Sequence, residues 1–138
     1  MNIKDEQAML DAGKALALQL KPGTLVFLVG DLGAGKTTLV RGVLRGLGHE
    51  GSVKSPTYNL VEPYTVNDRS IFHFDLYRLT DAEELEYMGM RDYLNEQTIC
   101  LIEWPDRGDG LLPKPDILVE IKINGCQREL LISDYKDV

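Results

Sequence analysis

Thr24-Leu25-Val26-Phe27-Leu28-Val29-Gly30-Asp31-Leu32-Gly33-Ala34-Gly35-Lys36-Thr37-Thr38 is the stretch that decides the fold. Its first six residues form an unbroken, largely apolar run of strand-favouring side chains, the pattern of a strand covered on both faces. Gly30 to Thr37 then matches G-x-x-x-x-G-K-[ST] at every fixed position. Downstream, Leu39, Val40, Val43, Leu44 and Leu47 recur at helical spacing, and Gly48 closes the pattern. Strand, glycine-rich turn and helix are the context this motif requires. The glycines let successive backbone N–H groups turn inward around an anion, and the helix adds the positive end of its dipole. In that setting Asp31, Gly33, Ala34, Gly35, Lys36, Thr37 and Thr38 surround the phosphates of a nucleotide. Lys36 reaches the β- and γ-phosphates, and Thr37 gives its hydroxyl to Mg²⁺.

Such a loop works with a carboxylate at the end of a neighbouring parallel strand, where it holds the metal through water or polarises the attacking water. Thr98 to Ile102 is the second continuous apolar run, and it ends in Glu103. Glu103 is the first choice for a catalytic and metal-side acid. Asp75, ending another strand-like run, is its competitor. Ser55-Pro56-Thr57-Tyr58 follows the phosphate-loop helix, where many such proteins place a loop that senses the γ-phosphate. Trp104, the one tryptophan, adjoins Glu103 and either lines the site or packs in the core.

The rest of the chain sets the frame. Residues 3 to 20 carry Met9, Ala12, Leu16 and Leu20 at helical spacing and end at Lys21-Pro22-Gly23. Residues 59–66 and 70–75 read as a hairpin, with Pro63 placing its strand on an edge and Phe72/Phe74 against His73/Asp75 suggesting a half-exposed partner. Thr80-Asp81-Ala82-Glu83 reads as a capping box before a short helix ended by Gly89, with a further helical stretch near Met90 to Asn95. Ile117 to Ile123 alternates, Asn124-Gly125 supplies a two-residue turn, and Gln127 to Ser133 returns. The expected fold class is α/β, a sheet with a parallel centre and antiparallel edges, as one domain over residues 1–138.

The 138 residues include 15 Lys+Arg against 22 Asp+Glu, a net charge of −7, and 43% hydrophobic residues. That composition is globular rather than disordered. The acidic balance argues against a stand-alone nucleic-acid binder, since phosphates would be repelled without a basic partner surface. No apolar run approaches the roughly 20 residues that span a bilayer. The start Met1-Asn2-Ile3-Lys4-Asp5-Glu6 lacks the basic and apolar regions of a secretory signal, so a cytoplasmic location is expected. Cys100 and Cys126 have no metal-ligand spacing and read as small hydrophobes. Arg41 and Arg45 share the polar side of the phosphate-loop helix, either solvated or facing a partner. His49 and His73 lack a nucleophile partner in sequence and are assigned no catalytic part.

Four motifs in order, G-D-L-G-A-G-K-T-T (30–38), S-P-T-Y (55–58), H-F-D-L-Y-R (73–78) and E-W (103–104), resemble those of the TsaE (YjeE) family, P-loop ATPases of bacterial tRNA threonylcarbamoyladenosine synthesis. The resemblance spans nearly the whole chain. It implies a small P-loop fold that binds ATP or ADP with Mg²⁺ and joins the TsaB–TsaD pair, where TsaD transfers the threonylcarbamoyl group to adenosine 37 of tRNA. Hydrolysis would reset the complex between turnovers, and tRNA would be met only through it. By matching motif, Lys36 and Thr37 are phosphate and metal residues, Glu103 the Walker B-type acid and Asp75 a second functional carboxylate. Thr57 and Trp104 belong to site-lining motifs.

Two other classes share the phosphate loop. A small-molecule kinase needs an acceptor pocket and usually an arginine-bearing lid, but the stretch after Arg78 is short and acidic. A GTPase-like switch needs N-K-x-D, and the nearest string, Pro113-Lys114-Pro115-Asp116, lacks the Asn. For transition-state charge Arg69, Arg78 and Arg107 are the in-chain candidates, none in a finger-like motif, so a slow enzyme completed by a partner is expected.

Overall fold

The structure, a computed structural model, describes residues 1–54, 56, 60–108 and 110–134. Its elements are β1 (Asn2–Ile3), α1 (Glu6–Ala17), β2 (Leu25–Val29), α2 (Lys36–Leu47), β3 (Val61–Val66), β4 (Arg69–Asp75), α3 (Glu83–Tyr87), α4 (Met90–Tyr93), β5 (Thr98–Glu103), a 3₁₀ turn (Pro105–Gly108), β6 (Ile117–Asn124) and β7 (Gln127–Asp134). The strands form one seven-stranded sheet in the order β1-β7-β6-β2-β5-β4-β3. Its centre is parallel: β2 lies between β5 and β6, and β5 also pairs with β4 in parallel. The hairpins β3/β4 and β6/β7 and the pair β1/β7 are antiparallel. The expected α/β class with a parallel centre therefore holds.

The central strands are covered on both faces. On one, Val26, Leu28, Ile71, Ile99, Leu101, Val119 and Ile121 pack under α1 and α2. On the other, Leu25, Phe74, Cys100 and Ile102 meet Leu85 and Met90 from α3 and α4. The two-residue alternation along β5 divides its side chains between these clusters, which is why the whole strand is buried and reads as a continuous apolar run. The helices α1 and α2 cross closely through glycines. A Cβ on Gly42 would run into the Leu10 carbonyl, and one on Gly13 into the Leu39 carbonyl.

Several local expectations are corrected. The first helix begins at Glu6 because Asp5 caps it, its Oδ1 accepting the Ala8 N–H at 2.8 Å, and Ile3 belongs to β1. The capping box does not form: Ala82 sits at the N-cap of α3, Asp81 accepts from the Glu83 N–H at 3.0 Å, and Thr80 bonds the Glu84 side chain. In the last hairpin Asn124 pairs with Gln127, so the turn is Gly125-Cys126, one residue later than expected. The β4 strand is not half-exposed, because it is internal, and His73 and Phe74 are both wholly buried. Cys126 is exposed rather than a small buried hydrophobe.

Candidate functional site

Parallel strands bring their carboxyl ends to one edge, and ligands of open α/β sheets bind there, where neighbouring connections diverge. Here β2 delivers the glycine-rich loop, β5 delivers Glu103 and β4 delivers Asp75. The register pairs Leu28 with Glu103 and Glu103 with Asp75, so both acids lie beside the loop. Leu32, Gly33, Ala34, Gly35, Lys36, Thr37, Thr38, Asp75, Tyr77, Glu103 and Trp104 line one cleft of about 320 Å³. Asp31 stays exposed at the loop's outer end. A second hollow of about 220 Å³ shares Gly33 to Gly35 and Thr38 and extends to Ile3, Asp5 and Met9.

The loop is shaped for an anion. Gly35 turns into α2 at φ 111°, a conformation an L side chain resists. The N-terminus of α2 has no side-chain cap bond among the described residues and no acid in its first turn, leaving the positive end of its dipole without a protein carboxylate beside it there. Lys36 is buried, 5% exposed, and its Nζ donates to the Gly30 carbonyl while lying 3.8 Å from the Trp104 ring centroid. Burial lowers the lysine's pKa, against the opposing pull of Glu103, Asp75, Asp31 and Asp106.

Across the cleft from the loop stand Glu103 and Asp75, with Thr37 beside them. Thr37 Oγ1 donates to Glu103 Oε2 at 3.3 Å. Asp75 Oδ1 accepts the Tyr77 N–H at 3.1 Å, yet burial, with the negative charge of Glu103 adding to it, raises its carboxyl above the usual range. Two carboxylates facing each other in this way fit a divalent cation, whose charge offsets their repulsion. Trp104 leaves β5 at φ 57°, uncommon for a non-glycine residue and typical of strain kept at working sites. Its ring stands between Lys36 and Tyr77, 5.0 Å centroid to centroid from the latter, and Arg107 lies 5.4 Å over Tyr77.

A family model described as "Threonylcarbamoyl adenosine biosynthesis protein TsaE" matches residues 3–130. The chain belongs to the TsaE family. Among its relatives, the tRNA threonylcarbamoyladenosine biosynthesis protein TsaE of Haemophilus influenzae is 58% identical over 124 residues, covering 86% of this chain and 78% of that protein. The Bacillus subtilis protein of the same name is 38% identical over 112 residues, covering 81% and 70%. A crystal structure of Bacillus subtilis YdiB superposes with a TM-score of 0.82 at 28% identity, covering 97% of this chain and 83% of that one.

Of the site residues expected in this TsaE chain, the structure brings together Gly33, Ala34, Gly35, Lys36, Thr37, Thr38, Asp75, Glu103 and Trp104. Thr57, with Ser55 and Tyr58, lies outside the described residues. Arg45 serves the fold, donating to the carbonyls of His49 and Gly51 at 3.1 and 2.6 Å, and Arg41 pairs with Glu6 at 3.3 Å. Arg69 opens β4 at the end opposite Asp75, and Arg107 flanks the cleft through Tyr77. Cys100, its thiol pushed up to about 11 by burial, donates to the Tyr93 carbonyl and offers no nucleophile.

Two residues beside the site escaped the reading of the sequence. Arg128 on β7 donates from Nε to the Ala34 carbonyl and from Nη2 to the Gly33 carbonyl, both at 3.2 Å, and so holds the loop's carbonyls from behind. His73 Nε2 lies 2.6 Å from Glu103 Oε2. The alternation of β4 hints at which face His73 takes, but nothing local to Arg128 points to the loop.

Proposed function

We propose that this chain binds and hydrolyses ATP as an accessory subunit for tRNA threonylcarbamoyladenosine formation, acting with TsaB and TsaD in the cytoplasm and meeting tRNA through them. The observation that carries the reading is the single cleft in which an uncapped helix N-terminus and a buried lysine face Glu103 and Asp75. Family membership supports the pathway, because the relatives bear the name of threonylcarbamoyladenosine biosynthesis.

In this reading the N–H groups of residues 33 to 38 and the Lys36 ammonium hold the phosphates, with Asp31 at the rim of the loop. Thr37 and Glu103 hold Mg²⁺, which supplies charge neutralisation at the transferred phosphoryl group. Among the described residues no three His, Cys, Asp or Glu cluster as a metal cage. Glu103 orients water or metal, Asp75 supplies the second carboxylate, and Trp104 and Thr57 line the site. We place the nucleoside in the second hollow, beyond Gly35 and Thr38. With no arginine of the chain in a finger-like motif, the protein alone is slow and a partner completes the site. The charge of −7 fits indirect contact with tRNA. No helix of the described residues is long and apolar enough to cross a membrane.

The test is steady-state tRNA modification by TsaB and TsaD, with and without this chain. The reading expects multiple turnovers only when the chain and ATP are present. Equal multiple turnover without the chain, or tight tRNA binding by the chain alone at physiological salt, contradicts it.

A further inference from the structure

His73 sits in the middle of an internal strand, wholly buried, and its Nδ1 has no hydrogen-bond partner among the described residues. A ring placed only to fill the core would satisfy both nitrogens or give way to an apolar side chain. This ring instead spends its one polar contact on a carboxylate: Nε2 lies 2.6 Å from Oε2 of Glu103. With Nδ1 unpartnered and a carboxylate oxygen as the acceptor, Nε2 carries the proton and donates.

The register explains the contact. His73 pairs with Leu101, so its side chain shares a face with Leu101 and with Glu103 two residues further on, the diagonal neighbour across the pair of strands. Because β4 is bonded to β3 on one side and β5 on the other, the His73 backbone is fixed relative to Glu103. Glu103 Oε2 has a second contact, the Thr37 hydroxyl at the longer distance of 3.3 Å. That hydroxyl is the group the proposed function assigns to Mg²⁺. When it turns to the metal, His73 is what still holds the carboxylate.

We propose that His73 is a positioning residue for Glu103: its Nε2–H fixes Oε2 and thereby sets the rotation of the carboxylate, so that Oε1, the oxygen neither contact occupies, serves the reaction. This rests on the reading of Glu103 as the acid of ATP hydrolysis. It gives His73 a part in turnover and none in holding the nucleotide.

The experiment compares kcat, KM and ATP affinity for the full chain, with TsaB and TsaD present, in the wild type, His73→Leu, His73→Gln and Glu103→Ala, and in His73→Leu combined with Glu103→Ala. His73→Leu is expected to lower kcat by about 10- to 100-fold, the usual loss when a group orienting a metal-site ligand is removed, with ATP affinity unchanged. His73→Gln, whose amide nitrogen stands near the position of Nε2, restores most of the rate. In the Glu103→Ala background, His73→Leu lowers the rate no further. Should His73→Leu fail to fold, His73→Asn, whose amide stops short of Glu103, takes its place. Wild-type kcat in the Leu or Asn variant, no rescue by Gln, or a loss that adds fully to that of Glu103→Ala overturns the proposal. A wild type that turns over no faster than Glu103→Ala overturns the ATPase reading itself, and the proposal with it.

Discussion

At the scale of single residues, the site holds groups that weaken the resting fold. Asp75 is half-buried beside Glu103, and its carboxyl titrates above the usual range. Between the unfolded value near 4 and the raised native value, the folded chain binds more protons than the unfolded one, so stability falls as pH rises through that window. Above the window the whole cost of ionised Asp75 is present. Asp75→Asn is therefore expected to melt at a higher temperature than wild type at pH 7, with the difference fading below about pH 4, and to lose ATP turnover. Thermal melts across pH decide this; an Asn variant less stable than wild type at pH 7 would mean that the carboxylate's bond from the Tyr77 N–H outweighs its burial.

Between elements, the loop is held at its ends and from behind. The α1–α2 crossing depends on the absence of side chains at Gly13 and Gly42. Gly42→Ala must push α1 away from α2, at about 1–3 kcal/mol for overpacking, and denaturant titration should show that loss with little change in the slope. Arg128 reaches the loop from β7, and its two bonds to the Gly33 and Ala34 carbonyls fix the orientation of those peptide groups. At about 1 kcal/mol per bond, Arg128→Met should weaken ATP binding by up to about 30-fold and lower the melting temperature by several degrees. Unchanged affinity in a calorimetric titration would remove Arg128 from the account.

Arg128 also marks the limit of what the sequence discloses. The loop, its strand and its helix were legible because the motif is contiguous and the periodicity of α2 is strong. Glu103 was legible as the end of an apolar run that only a doubly covered strand explains. His73 and Arg128 were not: their partners stand 30 and 94 residues away, and the contacts arise from strand register and hairpin placement. The half-exposed reading of β4 failed for the same reason, because alternation does not disclose that a strand has neighbours on both sides. Two residues of β1 are too few for any pattern.

For the whole molecule, one sheet edge gathers an anion cradle, a buried lysine and two acids, in a chain whose net charge is −7. The central claim is that these residues divide into those that hold nucleotide and those that act on it. In the proposed function Lys36 contacts charge in ground and transition states alike, whereas Glu103 matters chiefly in the transition state. The most direct measurement is Mg²⁺-dependent ATP binding and hydrolysis, in the presence of TsaB and TsaD, for wild type, Lys36→Ala and Glu103→Ala. The account predicts that Lys36→Ala loses affinity by tenfold or more, from about 1.5–3 kcal/mol for a hydrogen bond to a charged group, and that Glu103→Ala binds nearly as wild type but hardly hydrolyses. Wild-type hydrolysis by Glu103→Ala, or wild-type affinity in Lys36→Ala, would contradict it.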